Sequence, residues 1–383
     1  MKCPSRKAPA SRKTRSTSDG SIGTTTYSAE VRALTVIPSK EGSGAVRDVA
    51  DPEAGDGEVL VDVIRVGIDG TDSDIARGEY GTAPQGSELL VIGHEALGRV
   101  ERGAGSLVPG TLVVASVRRP DGCPNCTRGE ADMCLWGTYK ERGIVGLHGY
   151  CAERYAERPE YLFVIKPELA GPAVLLEPLT ISEKGWRHLA AAQRRMTVWE
   201  PRRAVVLGAG TVGILAALVF RLRGLDVTVV DRRDKPERRD LVTRIGATYA
   251  ATSTTPLSEI AGNGVDLAFE ATGSAEVAFA AMNILGRNGA LILASVTGGH
   301  RSLTVPADDV NQRLVLGNVL VVGTVNANRV DFEQGINDIA AAEQRWPGFM
   351  ESLITRRVPL ERAAETLAHD SKQIKQVVEV GAE

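Results

Sequence analysis

No stretch of this 383-residue chain approaches 18 uninterrupted apolar residues, so nothing in it reads as a membrane-spanning helix. Cysteine is scarce: Cys3, Cys123, Cys126, Cys134 and Cys151 make an odd count, three of them tightly grouped. That pattern argues against a disulfide framework and fits a reduced, cytoplasmic setting. Large apolar residues are nearly missing from residues 1–28, which carry Lys2, Arg6, Lys7, Arg12, Lys13 and Arg15 and read as a disordered basic tail. No apolar run follows those basic residues, which argues against a secretory signal. Without these six charges a formal net charge of −3 becomes −9, so the body of the chain offers no basic face for nucleic acid. No internal repeat is visible.

What is present is the composition of a globular protein, 43% hydrophobic and 24% charged, at a length suited to two domains. Between Val31 and Val100, Val59–Ile64 and Leu89–Ile92 form short apolar runs broken by Gly, Asp and Pro. With Gly110–Ala115 they predict an antiparallel, partly barrel-like β domain. Residues Arg118 to Tyr155 read as irregular. The texture changes near Ile181: a helix is expected over Ser182–Arg195, then strands at Ala204–Leu207, Asp226–Val230, Val265–Phe269, Ala290–Val296 and Val319–Val325 separated by helices, Thr211–Arg223 first among them. That alternation predicts βαβ units and a parallel sheet. From Phe332 onward the chain reads as mostly amphipathic helix, with a terminal strand at Gln376–Val380.

Gly208-x-Gly210-x-x-Gly213 follows the Ala204–Leu207 strand directly and opens the next helix. In that context Gly208 allows a tight turn, Gly210 lets a pyrophosphate approach the backbone, and Gly213 permits close helix–strand packing. The helix N-terminus, at Thr211 and Val212, supplies N–H groups and the positive end of a dipole. Asp231, 18 residues after Gly213, stands where an acid grips the adenosine ribose. Its charge disfavours a 2′-phosphate and favours NAD, whereas Arg232 and Arg233 favour NADP or simply form a solvated turn. NAD is the expectation, with NADP the alternative.

Two constellations carry metal-ligand character. Asp69, in Gly67-Ile68-Asp69-Gly70-Thr71-Asp72, His94, in Gly93-His94-Glu95, and Glu177, in Leu176-Glu177-Pro178, offer two carboxylates and an imidazole. Such a set holds zinc with a fourth position open to a substrate oxygen. Zinc there lowers the pKa of a substrate hydroxyl, and Thr71 is placed to relay the proton. Cys123-x2-Cys126-x7-Cys134 suits a closed structural zinc site but lacks a fourth cysteine, for which Asp121 is a candidate; the alternative is a reduced three-cysteine loop.

Taken together, these motifs resemble the zinc-containing medium-chain dehydrogenase/reductase superfamily, in its archaeal-type glucose dehydrogenase branch. Asp69 stands where the superfamily has the Cys of Cys-x-Thr-Asp, the Gly-His-Glu motif is intact, and Val117-Arg118-Arg119-Pro120, Glu141–Gly146 and His148-Gly149-Tyr150 are branch-specific. The resemblance implies an α/β chain: a GroES-like, partly open β-barrel catalytic domain (29–197 and 337–383) and a Rossmann doubly wound parallel-sheet cofactor domain (198–336). It implies further that Glu141 and Asn326 line a sugar pocket and that Glu95 sits at or near the zinc. Glu270-Ala271-Thr272-Gly273 and Thr324-Val325-Asn326 are expected to approach the nicotinamide ribose. The chain departs from the superfamily's four-Cys lobe, with Pro120 in the first Cys place. The implied activity is oxidation of an aldose at C1 to the lactone by a homo-oligomeric, cytoplasmic enzyme. The alternatives are a polyol, cyclitol or modified-sugar dehydrogenase, a non-catalytic dinucleotide-binding protein, and a zinc-free quinone or enone reductase.

Overall fold

The computed structural model describes residues 30–298, 300, 302–368 and 370–381; the basic tail lies outside the described residues. The long strand Val59–Ile68 organises the first half of the chain. It pairs antiparallel with Glu95–Arg102 on one side and Lys375–Glu379 on the other. Beyond these stand Leu112–Ala115, Leu162–Ile165 and Ile354–Pro359, and Arg154–Glu157 covers the outer half of Val59–Ile68. A second sheet, Ala45–Ala50, Glu30–Val36 and Leu90–Val91, closes over the first. Val61, Val66, Val100, Val113 and Val378 form the apolar interior between them. This is the partly open, GroES-like barrel.

The second half is a six-stranded, all-parallel sheet in the order Thr248–Ala251, Asp226–Asp231, Arg203–Leu207, Val265–Glu270, Leu285–Leu293 and Leu320–Gly323. Its helices lie on both faces, as a sheet of buried Val, Leu and Phe residues requires. In this doubly wound order the chain changes direction beside Arg203–Leu207, and the crevice at the carboxyl ends of the strands there is the place for a ligand.

The parallel sheet has one strand, Thr248–Ala251, that the sequence reading lacked, and the structure differs from that reading in three further places. The helix expected from Ser182 begins at Leu176 and runs to Gln193, after a 3₁₀ turn at Ala173–Leu175. Pro178 sits in its first turn, where a backbone N–H would have no helical carbonyl to donate to, so Glu177-Pro178 lies inside the helix rather than ahead of it. The Arg118–Tyr155 stretch contains a small sheet of Arg118–Arg119, Lys140–Arg142 and Gly146–Leu147. The end of the chain is less helical than its pattern suggested: helix Arg329–Arg345 is followed by strand Ile354–Pro359, parallel to Lys375–Glu379.

Candidate active site

Register brings two members of the first constellation, Asp69 and His94, together. Gly67 pairs with Glu95 across the central ladder, and Ile68 pairs with Gln376, so Asp69, His94 and Lys375 emerge at one end of three adjacent strands. Ligand atoms of Asp69, His94 and Glu95 all lie within 4.8 Å of one another. A Cβ on Gly67 would stand 1.9 Å from Glu95 Oε2 and 2.7 Å from Lys375 Cε, so glycine is required for the buried Glu95–Lys375 ion pair to form.

Asp69 divides its carboxylate between two tasks. Oδ1 caps helix Gly70–Ala76 by accepting from the N–H groups of Thr71 (2.8 Å) and Asp72 (3.2 Å). Oδ2 faces His94 Nε2 at 3.6 Å and accepts from the Thr71 hydroxyl at 3.3 Å. The Asp69–His94 separation is close to the roughly 3.3 Å between two ligand atoms on a tetrahedral zinc with bonds near 2.05 Å. Asp72, absent from the expected set, is fully buried. It accepts from Gly93 N (3.0 Å) and Asp69 N (3.1 Å) and stands 3.9 Å from His94 Nδ1.

Glu177, in the first turn of helix Leu176–Gln193, is buried and lies outside the 4.8 Å set, yet among the described residues no donor reaches its carboxylate. Burial raises it to about 8, with Glu95 and Asp69 adding repulsion that His94 only partly offsets. Burial likewise raises Asp72 to about 7. Burial opposes the charged form of His94, but Asp69, Asp72, Glu177 and Glu95 together push it up to about 9. Four carboxylates facing one imidazole and one ammonium form a donor set whose charge a dication answers. Zinc therefore fits the residues present.

The nucleotide residues gather at the carboxyl edge of the parallel sheet. Gly208 has φ +106, and its Cβ would meet Ala271 O at 2.8 Å; a Cβ on Gly213 would lie 1.9 Å from Gly208 O. Gly210, the N-cap of helix Thr211–Leu222, has open space where its Cβ would be, which leaves the backbone accessible to a phosphate. Thr211 and Val212 begin that helix, and the Thr211 hydroxyl donates to Ile374 O. Thr272 donates to Glu270 through both N–H and hydroxyl, Gly273 N donates to Ser295 Oγ, and the buried Thr324 Oγ1 has no protein partner among the described residues. Asp231 ends its strand, but its Oδ2 is paired with Lys235 (3.1 Å) and Arg238 (3.4 Å), and its Oδ1 accepts from Arg232 N. Arg232 and Arg233 are exposed. The repulsion on which the expectation of NAD rested is thus largely neutralised.

Glu141 and Asn326, 185 positions apart in sequence, meet: Asn326 Nδ2 donates to Glu141 Oε1 at 3.0 Å, and both are buried. In the cysteine lobe, Asp121, Cys123, Cys126 and Cys134 converge within 4.8 Å. The N–H groups of Cys126 and Leu135 point at Cys123 Sγ and that of Gly137 at Cys134 Sγ. Burial opposes the Cys123 thiolate, but those N–H groups outweigh it and bring the thiol to about 7. Asp121 stands 2.9 Å from Cys134 Sγ and 3.3 Å from Cys126 Sγ, so this donor set also fits zinc, with Asp121 in the fourth place. Sequence reasoning missed Asp72, Lys375 and Lys184. Asp72 stood within a quoted motif, whereas nothing local marks either lysine as buried.

Comparison with known proteins adds a family to this geometry. Residues 55–168 match a family model for the alcohol dehydrogenase GroES-like domain, and residues 170–380 match one for the glucose dehydrogenase C-terminus. The chain is 44% identical to a glucose 1-dehydrogenase of Methanocella arvoryzae over 92% of its own length and 100% of the relative's. It is 38% identical to that of Thermoproteus tenax over 91% and 99%. A solved structure of Haloferax mediterranei glucose dehydrogenase in complex with NADP, Zn and gluconolactone superposes with TM-score 0.84 at 32% identity, covering 92% of this chain and 100% of that one.

Proposed function

Because this chain belongs to the archaeal-type glucose dehydrogenase branch of the zinc-containing medium-chain dehydrogenases, we propose that it oxidises a glucose-like aldose at C1 to the lactone, passing hydride to NAD or NADP and a proton to solvent. The observation that carries this reading is the facing pair Asp69–His94 with a buried Glu177 whose carboxylate no donor reaches among the described residues, set beside a nucleotide crevice.

In this reading Asp69, His94 and Glu177 hold zinc, while Glu95 is occupied by Lys375. Bound zinc supplies Lewis acidity that makes the sugar hydroxyl easier to deprotonate. Thr71 Oγ1, already bonded to Asp69, takes the proton outward. Glu141 and Asn326 orient the sugar hydroxyls. Gly208, Gly210, Thr211, Val212 and Gly213 receive the pyrophosphate, and Thr272, Gly273 and Thr324 the nicotinamide ribose. Residues 29–197 with 337–383 act as the catalytic domain and 198–336 as the cofactor domain; in support, Lys375–Glu379 pairs with Val59–Ile68 rather than with the parallel sheet. Asp121, Cys123, Cys126 and Cys134 form a closed second zinc site.

Among the described residues no helix is long and apolar enough to cross a membrane, and the reduced thiols support a cytoplasmic setting. The edge strand Leu320–Gly323 and the exposed Val315, Leu316 and Val325 beside it support pairing of two copies through this edge. A panel of aldoses, polyols and simple alcohols with NAD and NADP, run with metal analysis, tests the reading. Aldose turnover by a zinc-loaded protein is expected; turnover of polyols alone, or full activity without metal, would defeat it.

A further inference from the structure

We propose that the cysteine lobe braces the sugar pocket, with Asp132 in the lobe and Arg118 on the strand before it as positioning residues that fix Glu141 and Asn326. The proposal rests on the reading of those two as sugar-binding residues.

Arg118 is buried and works in two directions. Its Nε and Nη2 lie 3.0 and 2.9 Å from Glu141 Oε1, and its Nη1 donates to the carbonyls of Asp132 (3.3 Å) and Ala131 (3.5 Å), residues between Cys126 and Cys134. The guanidinium lies 3.6 Å over the Tyr139 ring centroid, which fixes its plane. With Asn326 also donating to Oε1, two hydrogen bonds and an ion-pair contact converge on one oxygen of Glu141. Among the described residues none reaches Oε2. The carboxylate is therefore held in one rotation with one oxygen left for a hydroxyl.

A second cation, on helix Leu176–Gln193, ties the same lobe to the residue before Asn326. Lys184, 1% exposed, pairs with Asp132 Oδ2 at 3.0 Å and donates to Val325 O at 2.7 Å. Asp132 Oδ1 accepts from Asn328 Nδ2 at 3.0 Å, and the same amide reaches Gly129 O. Val325 and Asn328 bracket Asn326, whose φ of +59 is a conformation few side chains hold without support. One lobe carboxylate thus fixes the turn on both sides. A buried pair such as Asp132–Lys184 does little for net stability, because desolvation offsets the attraction, but it does fix geometry.

The test is steady-state kinetics of wild type, Asp132→Asn and Arg118→Lys with glucose and its C2, C3 and C4 epimers, alongside melting curves and the KM for the dinucleotide. Arg118→Lys keeps the charge but loses the planar fork, so it decides the matter should Asp132→Asn fail to fold. The expected result is a KM for glucose raised about tenfold or more, with kcat and the dinucleotide KM changed less than about threefold. Discrimination between epimers should shrink by a similar factor, which general loosening would not produce. Variants that keep the wild-type sugar KM and epimer ratios, or that lose activity equally on every sugar and raise the dinucleotide KM alike, overturn the proposal while leaving the dehydrogenase reading intact. A wild type that turns over no aldose removes that reading, and the proposal with it.

Discussion

The double duty of Asp69 separates what a carboxylate does for the fold from what it does for chemistry. Asparagine retains an oxygen to accept from the N–H groups of Thr71 and Asp72 but loses the charge facing His94. Asp69→Asn is expected to melt within a few degrees of wild type while losing most bound catalytic zinc and activity. Asp69→Ala loses the cap as well, at a further cost of about 1 kcal/mol. Thermal melts with metal analysis on both variants check this, and an asparagine variant that keeps its zinc would contradict it. At the end of strand Asp226–Asp231, Asp231 is neutralised by Lys235 and Arg238 while Arg232 and Arg233 face solvent. Replacing both arginines by alanine should lower kcat/KM for NADP about tenfold or more, since charge-assisted bonds to a 2′-phosphate are lost, and change that for NAD little. Equal losses with both cofactors would show that these arginines do not read the phosphate.

At the level of elements, the strand ends and the loops packed on them hold the site. His148 Nδ1 accepts from Val91 N at 3.2 Å, next to the segment that delivers His94. Burial, and then the Arg142 guanidinium, lowers the His148 pKa below 6.5. The neutral ring is the form that accepts this bond. The associated stability is therefore present above pH 6.5 and is lost as pH falls through the lowered folded value, because the unfolded chain takes the proton first. Melting temperature should drop less steeply between pH 7 and 5 in His148→Gln than in wild type. Parallel slopes would assign the acid sensitivity to other groups. In the other sheet, Gly67 faces Glu95 across its ladder, where a methyl group would meet the Glu95–Lys375 pair. Gly67→Ala should destabilise the chain by about 1–3 kcal/mol, the range for overpacking, as read by denaturant midpoint.

Over the whole molecule, one apolar cluster joins the two halves. Leu97, Val114 and Phe163 from the barrel, Leu176 and Leu179 from the linking helix, and Val206, Phe220 and Ile292 from the parallel-sheet half are parts of a single core. Asp69, His94 and the glycine-rich loop are therefore carried on elements packed against a common helix. The exposed apolar edge near Leu320–Gly323 belongs to this scale also. Leu316→Asp should shift the particle toward monomer in light scattering, since Leu316 is 71% exposed in the single chain and its change disturbs no core. A wild type that is already monomeric would leave that edge without the proposed role.

The parallel sheet, its nucleotide loop and the barrel strands were legible because period, glycine spacing and strand-to-helix alternation are local signals. So were Asp69, His94 and the cysteine spacing, each lying in a short motif. Strand Ile354–Pro359 was not legible. Its exposed positions are Thr355, Arg357 and Pro359, and its partner Lys375–Glu379 lies 16 or more residues further on. The assembly of the site was equally out of reach of local pattern. That Asp72 is buried against Gly93, that Lys375 neutralises Glu95, that Glu141 meets Asn326 and that Lys235 and Arg238 answer Asp231 depend on which strand ends and turns share one place. The sequence by itself determined the types of group available and the elements that carry them. Only the tertiary structure decided which charges lie close enough, and dry enough, to change one another, because electrostatic coupling depends on distance and burial and not on separation along the chain.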